Sequence, residues 1–287
     1  MPLMFHRMVI AGVGLIGGSL ALAARKCKLV EEIIGFGRKE KNLHLAQRRG
    51  IIDRYFVNED DIPRGTDLLI LATPVQATVP LAISFLPRLG PGCLISDVGS
   101  VKGEIVQEME KLLPAQISFV GAHPIAGSEQ WGVKAAIPDL FFRCRCILTP
   151  TRKTDPRSVK KLGSFWRRLG ARVEIMDPNL HDRILALVSH LPHVLAYALV
   201  NTLGRVDVDF VDLKDYCGGG FKDLTRIASS RPEIWRDICL VNRHAVSKSI
   251  LEYMRCLEQL RKSIHGGEGD LLEKEFNRAN ELRRAIP

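Results

Sequence analysis

His123 stands in the segment Gly121-Ala122-His123-Pro124-Ile125-Ala126-Gly127-Ser128-Glu129, directly after the apolar run Ser118–Val120. An imidazole titrates near neutral pH, so a histidine at the carboxyl end of a strand can exchange a proton with a bound substrate. Two more histidines lie in Ser189-His190-Leu191-Pro192-His193, and His181 precedes His190 by nine residues on what reads as the same helix. Further on, Gly218-Gly219-Gly220-Phe221-Lys222-Asp223-Leu224-Thr225-Arg226 joins a flexible backbone to two cations. Taken singly, His181 or His190 could be a hydrogen-bonded packing residue and Lys222 a solvated one. His181, His190 and His193 could together hold a metal, but no cysteine or carboxylate is spaced to complete the set, and no metal site is expected.

A second chemistry sits near the start. Gly12-Val13-Gly14-Leu15-Ile16-Gly17 follows the apolar run Met8–Ala11 and opens a helix, the setting a dinucleotide fingerprint requires. Gly12 permits the tight turn, Gly14 lets a pyrophosphate approach the backbone, and Gly17 allows close packing of helix on strand. The pyrophosphate would rest on the positive end of the helix dipole, beside Leu15 and Ile16. Thr73 and Pro74, just past the run Asp67–Ala72, join the cofactor-binding candidates. Where an acid would bind the ribose 2′-hydroxyl, the chain has Gly37-Arg38-Lys39 instead. Arg38 and Lys39 could pair with a 2′-phosphate, which points to NADP or a relaxed preference between NAD and NADP. The alternative is two solvated residues opening a helix.

The elements that must position these groups are legible as periodicity. Met8–Ala11, Glu32–Phe36, Asp67–Ala72, Cys93–Asp97, Ser118–Val120, Cys146–Leu148 and Arg172–Ile175 are short apolar runs without alternation, as expected of parallel strands covered on both faces. Helical stretches such as Thr78–Leu86 and Val101–Leu113 lie between them. The expected fold is α/β: a Rossmann-type doubly wound parallel sheet over residues 1–177. From Asp177-Pro178 onward the character changes, because Leu180–Leu203, Ile234–Ile264 and Leu271–Arg284 carry helical periodicity and no strand-like run appears. Residues 178–287 are therefore expected to form an all-helical domain.

The chain has 287 residues, 46% hydrophobic and 25% charged, and fits two compact domains rather than a disordered or fibrous protein. Seven cysteines, an odd number without metal-site spacing, suit a reducing cytoplasm. Arg7 followed by Met8–Ala24 mimics a signal peptide, but Gly12, Gly14, Gly17 and Gly18 interrupt that run, and neither a leader nor a membrane span is expected there. The formal charge of +9 raises the question of nucleic acid. No basic run carries interleaved aromatics, and aromatic residues make up only 6% of the chain, so the surplus is assigned to anionic small molecules and a solvated surface.

Together these segments, with Asp97-Val98-Gly99-Ser100-Val101-Lys102 and Ile147-Leu148-Thr149-Pro150, resemble the prephenate dehydrogenase family. These are tyrosine-pathway enzymes, and the arogenate dehydrogenases belong with them. The resemblance covers nearly the whole chain. It implies a Rossmann domain joined to a helical dimerisation domain, a homodimer, and an active site in the cleft between the two domains. The implied reaction is oxidative decarboxylation of prephenate to 4-hydroxyphenylpyruvate and carbon dioxide, with arogenate as the alternative substrate. His123 matches the family's catalytic histidine, which accepts a hydrogen bond from the ring hydroxyl. Ser100 matches a serine that contacts substrate and cofactor and helps orient that histidine, and Arg226 matches the arginine that binds a substrate carboxylate. His193 and the Gly219 backbone match positions around the substrate side chain, the latter reaching across the dimer. His181, His190, Glu129 and Lys222 match further polar positions lining the cleft. Gly37-Arg38-Lys39 departs from the commonest pattern and puts the usual NAD preference in doubt. The chain ends soon after its last helix, so tyrosine feedback is expected to act at or near the active site rather than through an added domain.

Two rivals are weaker. A 3-hydroxyacid dehydrogenase shares a Rossmann domain followed by helices but calls for a lysine base in the helical part. A nucleotide-binding sensor would need only the fingerprint and gives no reason for His123, His193 and Arg226 in their settings.

Overall fold

The structure, a computed structural model, describes residues 2–127, 130–208 and 211–286. Eight strands form one sheet: β1 (Phe5–Ala11), β2 (Val30–Phe36), β3 (Arg54–Phe56), β4 (Leu68–Leu71), β5 (Leu94–Asp97), β6 (Ser118–Pro124), β7 (Arg145–Thr149) and β8 (Arg172–Ile175). Their order is β3-β2-β1-β4-β5-β6-β7-β8, which is doubly wound with its switch point between β1 and β4. Helices α1 (Leu15–Lys26), α2 (Glu40–Arg48), α3 (Thr78–Phe85), α4 (Gly103–Leu112) and α5 (Pro156–Arg168) connect the strands. After β8 the chain is helical among the described residues: α6 (Pro178–Leu185), α7 (Leu191–Leu203), α8 (Gly219–Thr225), α9 (Pro232–Val241), α10 (Arg243–His265) and α11 (Gly269–Ala285).

Along β1, Met8 and Ile10 point into one apolar layer with α1 and α5, while Val9 and Ala11 point into the other with α3 and α4. Leu68 and Ile70 of β4 alternate with Leu69 and Leu71 in the same way. Both faces are buried, so the run shows no polar alternation in sequence. The first layer is closed by edge-on aromatic pairs, Phe5 with Phe165 and Phe141 with Trp166.

Two expectations need correction. β6 and β7 run antiparallel, with His123 opposite Ile147, whereas β7 and β8 are parallel to each other. Between β6 and β7 the described chain makes only a short 3-10 turn at Val133–Ala135, and without a crossover helix the chain must reverse direction. The sheet also gains β3, whose three half-buried residues are too short a run to stand out.

The chain divides into two compact units, Met1–Arg243 and His244–Pro287. The first unit holds the sheet together with α6 to α9. In the second, α10 and α11 are joined through Gly267 at φ +67°, and Leu251, Met254, Leu257, Phe276 and Leu282 are exposed apolar side chains. Pro178–Leu203 is long and apolar enough to cross a membrane by composition, yet its His181, Asp182 and His190 make hydrogen bonds inside the protein. That stretch is not a single α-helix, because a π-helical turn over Ala186–His190 separates α6 from α7. Likewise the run Ile234–Ile264 breaks at Asn242 into α9 and α10.

Candidate active site

A cavity of about 630 Å³ opens within the first unit at the carboxyl ends of β1, β4, β5 and β6. Its floor is the glycine turn. Gly12 has φ +98°, and a Cβ there would stand 2.3 Å from the Ala72 carbonyl oxygen; a Cβ on Gly17 would stand 2.2 Å from the Gly12 carbonyl oxygen. Strand, turn and helix are thus packed too closely for any side chain at those two positions. A Cβ on Gly14 would meet nothing within 4 Å, so the backbone there faces open space. The N-terminus of α1 has no side-chain cap and no acid in its first turn, which leaves its N–H groups available to an anion. Gly14, Leu15, Ile16, Gly17, Thr73 and Pro74 all line the cavity. Arg38 and Lys39 do not; both are exposed beyond β2, where Lys39 precedes α2.

Ser100, His123, His193 and Arg226 line the same cavity, together with Trp235 and Arg231. His123 sits near the end of β6, and its Nδ1 lies 2.8 Å from His181 Nε2. Burial first, then electrostatic interaction with His181, Lys102 and His190, holds His123 well below the ordinary histidine range, so its imidazole is neutral at physiological pH. His193 stacks on Trp235 at 3.5 Å between ring centres, and its Nδ1–H donates to the Ser189 carbonyl at 3.0 Å. Its pKa is lowered, chiefly by burial. Arg231 lies over the Trp131 ring at 5.8 Å at the cavity rim.

His181 and His190 are not on the cavity wall. Both are completely buried behind it. Residues nine apart on a regular helix face opposite ways, since 3.6 residues make a turn. The wider π turn absorbs part of that half-rotation, and both rings join one hydrogen-bond network. Burial lowers His190 to about 4, opposed by the Asp182 charge. Gly219 and Lys222 are exposed on α8 and do not line the cavity. Glu129 lies outside the described residues. Among the described residues, no cluster of three or more His, Cys, Asp or Glu is arranged to hold a metal.

Three residues that the sequence reading did not single out hold the site in place. Asp97 and Lys102 form an ion pair in which neither side chain has any exposed surface. Asp97 also accepts hydrogen bonds from Gly99 N at 3.0 Å and Ala122 N at 3.1 Å, and Lys102 Nζ donates to Ala122 O at 3.1 Å. The pair therefore clamps the backbone beside Ser100 to the backbone beside His123. The third is Asp182, which accepts from Lys102 N at 2.8 Å, Gly103 N at 2.7 Å and His181 Nδ1 at 2.8 Å. Asp97 and Lys102 lie within the Asp97–Lys102 motif and Asp182 adjoins His181, but the bonds that tie them to the site run to Ala122 and, for Asp182, to backbone N–H groups about 80 residues earlier.

Residues 20–175 match the family model described as prephenate dehydrogenase, nucleotide-binding domain, and residues 177–278 match its dimerization domain. The chain is 35% identical to the prephenate dehydrogenase of Bacillus subtilis over 98% of its own length and 76% of that protein's. A crystal structure of prephenate dehydrogenase from Aquifex aeolicus, in complex with hydroxyphenyl propionate and NAD+, superimposes with a TM-score of 0.94 at 37% identity and 98% coverage of each chain. The arogenate dehydrogenase of Synechocystis superimposes with a TM-score of 0.84 at 28% identity, covering 98% of this chain and all of that one.

Proposed function

Since the chain belongs to the prephenate dehydrogenase family, we propose that it converts prephenate to 4-hydroxyphenylpyruvate and carbon dioxide in tyrosine biosynthesis, passing a hydride to a nicotinamide cofactor. The observation that carries this reading is that neutral His123, Arg226 and the glycine turn all line one cavity. The open approach to Gly14 and the uncapped start of α1 fit a pyrophosphate, and Gly12, Gly14 and Gly17 with Leu15, Ile16, Thr73 and Pro74 would hold the cofactor. When bound, the cofactor supplies the hydride acceptor.

The remaining work falls to the protein's own side chains. His123 accepts the hydrogen bond of the ring hydroxyl and draws its proton as the hydroxyl-bearing carbon becomes carbonyl-like. The ring carboxylate leaves as carbon dioxide and its bonding pair enters the ring. Aromatisation then returns the proton to the phenolic oxygen, so His123 ends neutral. Arg226 pairs with a substrate carboxylate, where a planar guanidinium gives two parallel charge-assisted bonds. Ser100 orients substrate against His123, and His193, braced by Trp235, borders the substrate side chain. Positioning and one tuned proton suffice, and no covalent nucleophile is called for.

Arg38 and Lys39 beyond β2, with no acid in their place, favour NADP or relaxed use of both cofactors. The cofactor half is assigned to residues 1–177 and the helical half to 178–287. Exposed Gly219 is assigned to the substrate surround reached across the dimer, and Lys222 and Glu129 to further polar positions of the cleft. A homodimer is supported by the dimerization-domain match and the exposed apolar side chains of α10 and α11. A cytoplasmic location is supported by seven free cysteines. The likeness to the Synechocystis enzyme makes arogenate the second reading. Steady-state kinetics with prephenate and arogenate, each with NAD+ and NADP+, test the substrate and cofactor assignments together. Prephenate turnover with at least one cofactor is expected, and absence of turnover with both would overturn the function.

A further inference from the structure

His123 is useful as a base only if the nitrogen facing substrate lacks a proton, and a neutral imidazole can carry its proton on either nitrogen. The hydrogen-bond chain behind the ring decides which. Asp182 stands at the start of that chain as a carboxylate acceptor, receiving Lys102 N and Gly103 N where α4 begins. Opposite His181 Nδ1, at 2.8 Å, it can again only accept, so His181 carries its proton on Nδ1. A singly protonated His181 then presents a lone pair at Nε2. Across 2.8 Å, that lone pair faces His123 Nδ1, which must therefore be the donor.

We propose that Asp182 and His181 form a positioning relay that fixes His123 as its Nδ1–H tautomer, leaving Nε2 as the proton acceptor for the substrate hydroxyl. The proposal rests on the function assigned above but adds residues and a directional role to it. His181 is completely buried and lies off the cavity wall, so it acts on substrate only through His123.

A side branch anchors the relay. Asn242 Nδ2 donates to the Asp182 carbonyl at 2.9 Å and, with its second hydrogen, to His190 Nδ1 at 3.2 Å. His190 is thereby left with its proton on Nε2. The groups facing the relay are thus Asp182 and Asn242 from the helical side and Lys102 from the sheet side, and Lys102 is engaged by Asp97. Mid-chain, a hydrophobic residue at position 181 would remove the acceptor, whereas glutamine can place an amide oxygen near where Nε2 stood.

The test is a long-range proton–nitrogen correlation spectrum of the full-length protein labelled at histidine, without substrate, with His123 assigned by the loss of its signals in His123→Asn. The expected wild-type pattern has a protonated Nδ1 and a bare Nε2 on His123. In His181→Leu the Nε2–H form should become populated, and kcat should fall about 10-fold or more with KM little changed. His181→Gln should recover most of that loss, a rescue that mere filling of space would not produce. A wild-type spectrum with the proton on Nε2 would overturn the relay, as would a folded His181→Gln no faster than His181→Leu. If His181→Leu does not fold, the wild-type spectrum decides alone. A chain that shows Nδ1–H on His123 yet leaves prephenate unchanged would defeat the proposed function and not the relay.

Discussion

Replacing Lys102 with methionine removes the cation from an ion pair that has no exposed surface on either side chain. Methionine matches the lysine stem in length, so packing is nearly kept and the loss is electrostatic. Removing one partner of a buried pair costs about 3–5 kcal/mol, because the other charge is left uncompensated in a low-dielectric interior. Asp97 keeps its bonds from Gly99 N and Ala122 N, which places the expected cost near the lower end, at about 3 kcal/mol. Lys102→Met, Asp97→Asn and the double variant form a cycle, read by urea unfolding at neutral pH. The double variant should be less destabilised than the sum of the singles by about 2 kcal/mol, well beyond the roughly 0.5 kcal/mol expected of independent sites. Because the clamp ties the backbone beside Ser100 to that beside His123, kcat for prephenate should also fall in Lys102→Met. A single-variant cost under about 1 kcal/mol, or an additive cycle, would refute the clamp.

Three further outcomes are expected. Arg226→Ala should raise KM for prephenate more than it lowers kcat, and an unchanged KM would place the carboxylate partner elsewhere. Arg38→Ala should weaken NADP+ and leave NAD+ nearly untouched, as read from the two KM values, whereas equal effects would mean that Arg38 is simply solvated. His190 is lowered from 6.5 to about 4 in the folded protein, so between those values the unfolded chain binds the extra proton and stability falls as pH falls. Between about pH 7 and pH 5 this amounts to about 2 kcal/mol, which His190→Gln should remove from the pH dependence of urea unfolding.

Much of this arrangement was legible in the residues, for identifiable reasons. The Gly12–Gly17 turn is a local device whose spacing is dictated by backbone contacts, and it folds as its spacing implies. His123 could be placed at a strand end because the short run Ser118–Val120 before it reads as a buried strand. The direction of β7 could not be read, because Cys146–Leu148 is buried on both faces whichever way it runs and the deciding feature is the lack of a helix in the preceding connection. Nor could the π turn, since five residues are too few to distinguish its period from that of an α-helix. His181 and His190 accordingly read as candidates for the cleft, when the turn instead places them behind it. Nothing in the sequence sets Asp182 apart from other helix carboxylates. Its partners are backbone N–H groups about 80 residues earlier, which leave no mark in a side-chain pattern.

The central claim, that His123 draws the hydroxyl proton in this cavity, is tested most directly by steady-state turnover of prephenate in His123→Asn alongside prephenate binding to the same variant. Loss of a general base predicts a fall in kcat of about 10²- to 10⁴-fold with affinity for prephenate nearly unchanged. Turnover close to that of the unaltered protein would contradict it.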